Sequence, residues 1–395
     1  MDDPLSAQAL LSHVKALATD IGPRPAGHPA EAEARAYVRR ALAAAGITDV
    51  TGSVFPAWDT WGYTLVSPVV AALAGNLLGG AGRGSKLLGG LASLLGAAQV
   101  VAGAGVRRQP MAPFLARRQS GNVVARIPSA GARRQRAVLV GHLDTNKARA
   151  TFTPALRRWS VPLVTMGTGL LAANGAAQLA QALGGGEPAR RLRQASFWGL
   201  VASLGLLIYD ELGDYVAGAN DNASAVACLL GLAAHLQRQP LANTEVWLAF
   251  TGAEEVGGLG THALLDAHGQ ALADAWFIDL EMVGSEQVVY VTRHSSGSYL
   301  TAYTPDDESL ALAAETARRH PEMGVRGQPL TILEEVGALR ARGFRGVCLA
   351  AVGRDGWLAN WHQASDDVAH VAVGGLVRAA RFALAMLQVL DEENL

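Results

Sequence analysis

The sequence predicts an α/β domain with helices on both faces of a mostly parallel sheet, interrupted by two hydrophobic helical hairpins. Three observations lead there. Short apolar runs, each closed by a turn, read as buried strands: Asn122–Ile127, Ala137–Val140, Glu245–Phe250, Trp276–Leu280 and Gly346–Ala351. Amphipathic patterns at Ser224–Leu236, Ser309–Arg319 and Gly375–Leu390 read as helices between and after them, the alternation of a helix-covered parallel sheet. Finally, residues 62–82, 87–106, 159–186 and 194–209 contain no Asp, Glu, Lys or Arg and break that alternation twice.

Composition narrows the function classes. Of 395 residues, 50% are hydrophobic and only 17% charged, which excludes a disordered chain. Lys and Arg number 33 against 34 Asp and Glu, so no basic field attracts nucleic acid. Cys228 and Cys348 sit in apolar runs and read as small core residues, too few for a disulfide framework or a thiolate zinc site. The start, Met1-Asp2-Asp3-Pro4, lacks a basic segment followed by an apolar core, so it is expected to stay in the cytosol.

In chain order, Leu5 to Ala45 reads as helix broken at Ile21–Gly27, where Gly and Pro cluster. The apolar stretches follow as two pairs, with Arg83 and Lys86 in the first connector and Arg190, Arg191 and Arg193 in the second. A bilayer-spanning helix needs about 20 apolar residues, and the stretches approach or reach that length. Trp61, Tyr63, Trp159, Trp198 and Tyr209 are expected at or near their ends, where membrane interfaces favour such rings. Asn76, Gln99, Asn174, Gln178 and Gln181 favour instead a buried four-helix cluster or an oligomer interface, because amides in lipid need partners. Arg107, Arg108, Arg157 and Arg158 place the remaining domain on the cytosolic side of any membrane.

Five segments carry chemistry, most of them after a strand's C-terminal end, where open α/β sheets place ligands. Gly141-His142-Leu143-Asp144 pairs an imidazole with a carboxylate able to orient it through its other nitrogen. Gly218–Ser224 holds Asp221 at a helix start, where capping is the plain alternative to metal binding. Glu254 and Glu255 follow a strand among small residues; adjacent carboxylates repel unless a cation neutralises one, which suggests one ligand and one general base. Asp279 and Glu281 share a strand face, so either is a candidate ligand. His362 lies in a loop after the strand at 346–351. In this order the set is rich in oxygen and imidazole, the donors that suit zinc. Arg293 and His294 end a further strand-like run and read as a solvated edge.

These motifs resemble the co-catalytic di-zinc exopeptidases of the leucyl aminopeptidase and glutamate carboxypeptidase type (clan MH), whose relatives include glutaminyl cyclases. Gly22-Pro23-Arg24-Pro25-Ala26-Gly27 adds to the match, which runs over residues 5–60, 119–150 and 213–370. The resemblance implies a three-layer αβα sandwich and two zinc ions. His142 and Glu281 would hold one, Glu255 and His362 the other, and Asp221 would bridge them. It makes Glu254 the catalytic acid/base and Asp144 the residue that orients His142. The substrate would be a peptide or small amide cut at a chain end, with no choice between amino and carboxy end. Two departures stand out: Asp279-Leu280-Glu281 replaces an Asn-Leu-Asp pattern, and Leu333-Glu334-Glu335-Val336 replaces a Ser-Asp-His segment. The implied catalytic domain comprises residues 1–61, 107–158 and 210–395, with insertions at 62–106 and 159–209. A single-zinc cyclase-like enzyme and a silent scaffold are the rivals; a silent scaffold would be expected to have lost ligands, and this chain has a candidate for each.

Overall fold

The computed structural model describes residues 3–78, 82–115, 117–295 and 297–392. Met1, Asp2 and the part of the first apolar stretch at 79–81 lie outside the described residues. Eight strands form one sheet: β1 Val50–Ala57, β2 Arg118–Ile127, β3 Gln135–His142, β4 Thr244–Thr251, β5 Trp276–Glu281, β6 Gln287–His294, β7 Arg326–Leu330 and β8 Arg345–Val352. Their order is β1-β2-β4-β3-β5-β8-β6-β7. The central strands β4, β3, β5 and β8 run parallel, while β1, β2 and the β8–β6 pairing are antiparallel.

All five expected strands are present, each longer by one to four residues at an end. The two edge strands, β1 and β7, carry weaker signals. β1 contains Gly52 and Pro56, and β7 contains Gly327 and Pro329, residues that weaken an interior strand but are tolerated at an edge.

The helices are α1 Ala7–Lys15, α2 Pro29–Ala44, α3 Gly62–Leu78, α4 Arg83–Ala104, α5 Ala112–Leu115, α6 Ser160–Ala182, α7 Glu187–Glu211, α8 Ser224–Arg238, α9 Leu259–His268, α10 Asp307–Arg319, α11 Glu335–Ala341 and α12 Val373–Glu392. Strand alternation divides the core into two layers. On one face Val123, Leu139, Leu248, Phe250, Ile278 and Leu349 pack beneath α1, α2, α8 and α12. On the other, Val138, Val140, Trp247, Phe277 and Cys348 pack beneath α9 and α11. The result is the expected αβα sandwich. Cys228 and Cys348 are both buried free thiols.

The uncharged stretches form α3/α4 and α6/α7, which pack as one four-helix cluster. Three expectations about them need correction. Arg83 and Lys86 lie in the first turns of α4, and Arg190, Arg191 and Arg193 lie inside α7 rather than in connectors. Glu187 pairs with Arg190 and Arg191 one turn on, which lets the helix start before the apolar run. Trp198 sits mid-way along α7, 68% exposed, not at its end.

Close approach in the cluster rests on small residues. A Cβ on Gly75 would lie 2.7 Å from the Cα of Gly89, so α3 and α4 touch backbone to backbone there. Some of the buried amides pair: Asn76 donates to Asn174 Oδ1 at 2.8 Å, and Asn174 donates to Ser93 at 2.8 Å, whereas the Gln178 amide and Gln181 Nε2 are buried without a partner. Gln99 donates to Gln109 and accepts from the Met111 N–H.

Candidate metal centre

The parallel strands deliver their C-terminal ends to one place. His142 is the last residue of β3, Glu281 the last of β5, and Glu254 and Glu255 follow β4. Asp221 comes from the turn into α8 and His362 from the loop after β8. All six side chains are buried or nearly so.

Asp221 turns one oxygen to each histidine. Its Oδ1 lies 3.2 Å from His142 Nε2, and its Oδ2 lies 3.3 Å from His362 Nε2. Glu281 Oε2 is 3.4 Å from the same nitrogen of His142, and Glu255 Oε2 is 3.1 Å from that of His362. The donors therefore form two sets sharing Asp221: His142, Asp221 and Glu281, and Asp221, Glu255 and His362, each within 4.8 Å. Glu254 stands beside the first set, its Oε2 3.8 Å from His142 Nε2.

Two features test whether these residues fit a cation. The first is charge: burial pushes the carboxyls of Glu254, Glu255 and Glu281 up, and neighbouring acids add to that rise. Such a packing of acids is costly unless a positive charge sits among them. The second is an orphaned acceptor: Glu255 Oε1 is buried with no hydrogen-bond partner. Imidazole nitrogens and carboxylate oxygens are zinc's ordinary donors, and the set fits such an ion.

Of the two acids on β5, only Glu281 reaches His142. Asp279 lies two residues back on the same face, in two adjoining buried groups, one with Glu334 and Cys348 and one with Glu281 and Glu335. His294 corrects another expectation. It is fully buried, its Nδ1 2.8 Å from Glu334 Oε1, and it stacks on Tyr303, whose hydroxyl also donates to Glu334. The strand-like run is a sheet-interior neighbour of β8, so its final residue turns inward rather than to solvent.

Residues 209–387 match the family model described as Peptidase family M28. That segment carries Asp221, Glu254, Glu255, Glu281 and His362, whereas His142 lies before it. Solved structures similar to it share its fold at low identity. A leucine aminopeptidase precursor from Bacteroides thetaiotaomicron superposes with a TM-score of 0.57 at 14% identity, covering 97% of this chain and 97% of that one. A zinc aminopeptidase from Bacillus subtilis gives 0.56 at 12% identity, covering 98% and 95%. Porphyromonas gingivalis glutaminyl cyclase gives 0.57 at 13% identity, covering 98% and 99%. No curated protein sequence matches the chain.

Around these donors stands a supporting layer that the sequence only partly reveals. Asp144 does less to His142 than expected: the ring Nδ1 lies 3.0 Å from the Asp144 backbone carbonyl and 3.6 Å from its carboxylate. The carboxylate instead accepts from the N–H groups of Glu254 at 3.0 Å and Glu255 at 3.1 Å, and so fixes the loop that carries them. Glu31 holds that loop from the other side, accepting from the Ala253 N–H at 3.2 Å and from Ser120 at 2.6 Å. Ala253 adopts a φ of 53°, a left-handed conformation that such anchors keep in place.

Arg24, between two prolines in the Gly22–Gly27 loop, is buried to 1% exposure. Its guanidinium donates to the carbonyls of Leu143, Ala217 and Gly218 at 2.7–2.9 Å, tying together the segments that bear His142 and Asp221. Burial lowers its pKa to about 10, against the opposing charges of Asp366, Asp144 and Asp221, so it stays charged at neutral pH. Asp366 receives the N–H groups of Asn220 and Asp221, and Asn222 donates to Glu281 Oε2 at 2.7 Å. Asn146 donates to Glu255 Oε2 at 2.8 Å. A charged side chain between prolines was the one local signal for Arg24. Glu31, fully buried, also pairs with Arg35 one turn on along α2.

Proposed function

We propose that the chain is a zinc-dependent exopeptidase-like hydrolase of a terminal peptide or amide bond, working with two zinc ions. One ion would be held by His142 and Glu281 and the other by Glu255 and His362, with Asp221 facing both. The single observation that carries this reading is Asp221, whose two oxygens address different histidines. Zinc in such a site supplies a water acidified towards neutrality and polarises the scissile carbonyl. The chain's own residues do the rest. Glu254, beside the donors and raised in pKa by burial, takes the proton of the attacking water and passes it to the leaving amine. Asp144 and Glu31 keep Glu254 aimed. Trp61 and Phe152 pack on the His362 ring and shield that side from solvent.

The deciding experiment is elemental analysis of the purified protein together with an aminoacyl-amide hydrolysis assay. Two equivalents of zinc with chelator-sensitive hydrolysis are expected. A single equivalent with cyclisation of N-terminal glutamine would replace this reading with a cyclase-like one, and metal without either reaction would leave a silent scaffold. At free zinc a thousandfold above Kd, each ion stabilises the fold by about 4 kcal/mol, so chelation should also lower the thermal midpoint.

We further propose that the four-helix cluster sits in a lipid bilayer. Leu77, Leu88, Leu91, Met166, Trp198 and Tyr209, drawn from all four helices, are more than half exposed, and exposed apolar area of that kind marks interaction with a membrane or a partner. α4 is long and apolar enough to cross a membrane, whereas α12, which passes the same test, is a core helix of the sandwich. The Asn76–Asn174–Ser93 bonds pair two of the amides inside the cluster, as placement in lipid favours. Expressed protein should sediment with membranes, resist alkaline washing and require detergent for extraction. Full recovery in the soluble fraction would overturn the placement.

A further inference from the structure

A cavity of about 540 Å³ joins the metal centre to the interior of the four-helix cluster. At one end its wall includes Asp221, Glu254, Glu255, Glu281 and His362. From there it runs between α6 and α7, past Leu65, Val100, Leu163, Leu171 and Leu206. Lining positions on α6 extend from Ser160 to Leu171, a rise of roughly 16 Å at about 1.5 Å per residue. A pocket for one amino-acid side chain needs far less depth.

The chemistry of the wall decides what fits. Among the described residues no Lys or Arg lines the cavity, so a substrate carboxylate inside it would have no counter-charge. The polar groups of the upper wall are already engaged. Thr64 donates to the Trp61 carbonyl, Thr168 to Val164 and Ser203 to Gly199. Asp210 accepts both the N–H and the hydroxyl of Thr151. An extended peptide of the same reach would bring about five peptide units, at roughly 3.3 Å each, whose N–H and C=O groups would be buried without partners. That burial is costly. A hydrocarbon chain carries no such groups and gains from the same walls.

We propose that the substrate is an amide bearing one long alkyl chain, which lies in this cavity while the amide bond reaches the metal centre. The inference rests on the hydrolase reading above and names the substrate class of that site. The apolar outer face of the same helices lets such a substrate enter from lipid. The cavity fixes the alkyl chain but not the side of the amide that bears it, so the experiment has two arms.

One arm measures kcat/KM for N-acylglycines from acetyl through octanoyl and lauroyl to palmitoyl. The other uses leucine alkylamides from ethyl to dodecyl, both with the zinc-loaded full chain in detergent. In one series kcat/KM should rise by about fourfold per added methylene, then level off when the cavity is full. Displacement of a fluorescent fatty-acid probe by lauroylglycine or leucine dodecylamide gives a binding readout independent of turnover. Gly167→Phe supplies the control: Gly167 lines the cavity, and a Cβ there meets nothing within 4 Å, so the ring enters the open space. In that variant the long-to-short ratio should collapse towards one while zinc content and thermal midpoint stay as in the parent. Flat chain-length profiles in both arms, with short amides still cleaved, would overturn the alkyl-chain inference alone. An unchanged ratio in Gly167→Phe would do the same. Failure to cleave any amide, with zinc bound, would take the hydrolase reading down with it.

Discussion

Replacing Glu254 with glutamine should leave the bound zinc unchanged and lower kcat by about 10²- to 10⁴-fold. Glutamine has nearly the same shape, and the Asp144 bonds that place this loop run to backbone N–H groups, so the loop keeps its position. What disappears is the capacity to take a proton. Glu254 is suited to that task because burial pushes its carboxyl well above the ordinary range; Glu335, Glu281 and Glu255 reinforce the rise and His142 opposes it. A base that weak when exposed becomes a competent proton acceptor when buried beside a polarised water. The measurement is kcat on a short amide alongside zinc stoichiometry in the same preparation. A variant with parental kcat would remove Glu254 from its assigned role, and a variant that had lost zinc would show it to be a ligand.

How much of this was legible in the sequence depends on the range over which each signal acts. His142, Asp221, Glu254, Glu255 and Glu281 stand at or just after a strand end or at a helix start, positions that local patterning marks; His362 lies in a loop, and the structure brings all six together. The parallel sheet does the work, because strands running the same way deliver their ends to one edge. The choice between Asp279 and Glu281 needed depth along β5, which two-residue periodicity does not supply: both share a face, but only the terminal one reaches the centre. Asp144 was recognised while its partners were not, since the N–H groups it accepts belong to residues more than a hundred positions away. Glu31 and Arg24 were hidden for the same reason. Their partners are backbone groups on distant segments, and no spacing encodes them. The cavity was equally invisible. Uncharged stretches signal apolar helices, but not the gap those helices leave between them.

The bridging residue offers the most severe test of the centre. Asp221→Asn should strip the site of zinc and abolish hydrolysis, whereas His142→Ala should empty chiefly the His142–Glu281 side. Burial works against a charge on Asp221, yet His142 and His362 at hydrogen-bond distance hold its carboxyl well below the usual carboxylate range, so it is ionised wherever the protein is folded and neutral pH prevails. Asparagine keeps the volume but removes the charge and turns one acceptor oxygen into an NH2 that points at an imidazole nitrogen. Both donor sets then lose their common member. The affinity loss should exceed the 10- to 100-fold that removing a supporting hydrogen bond costs, because a ligand shared by two sites is lost from both. The backbone should survive, since Asp366 and Arg24 hold the Gly218–Asp221 segment through main-chain groups. Elemental analysis after dialysis reads the stoichiometry, and a thermal midpoint insensitive to added zinc reads the same loss without any assay of turnover. Retention of both equivalents by Asp221→Asn would mean that the two histidines are served by separate acids, and the shared-carboxylate arrangement would have to be abandoned.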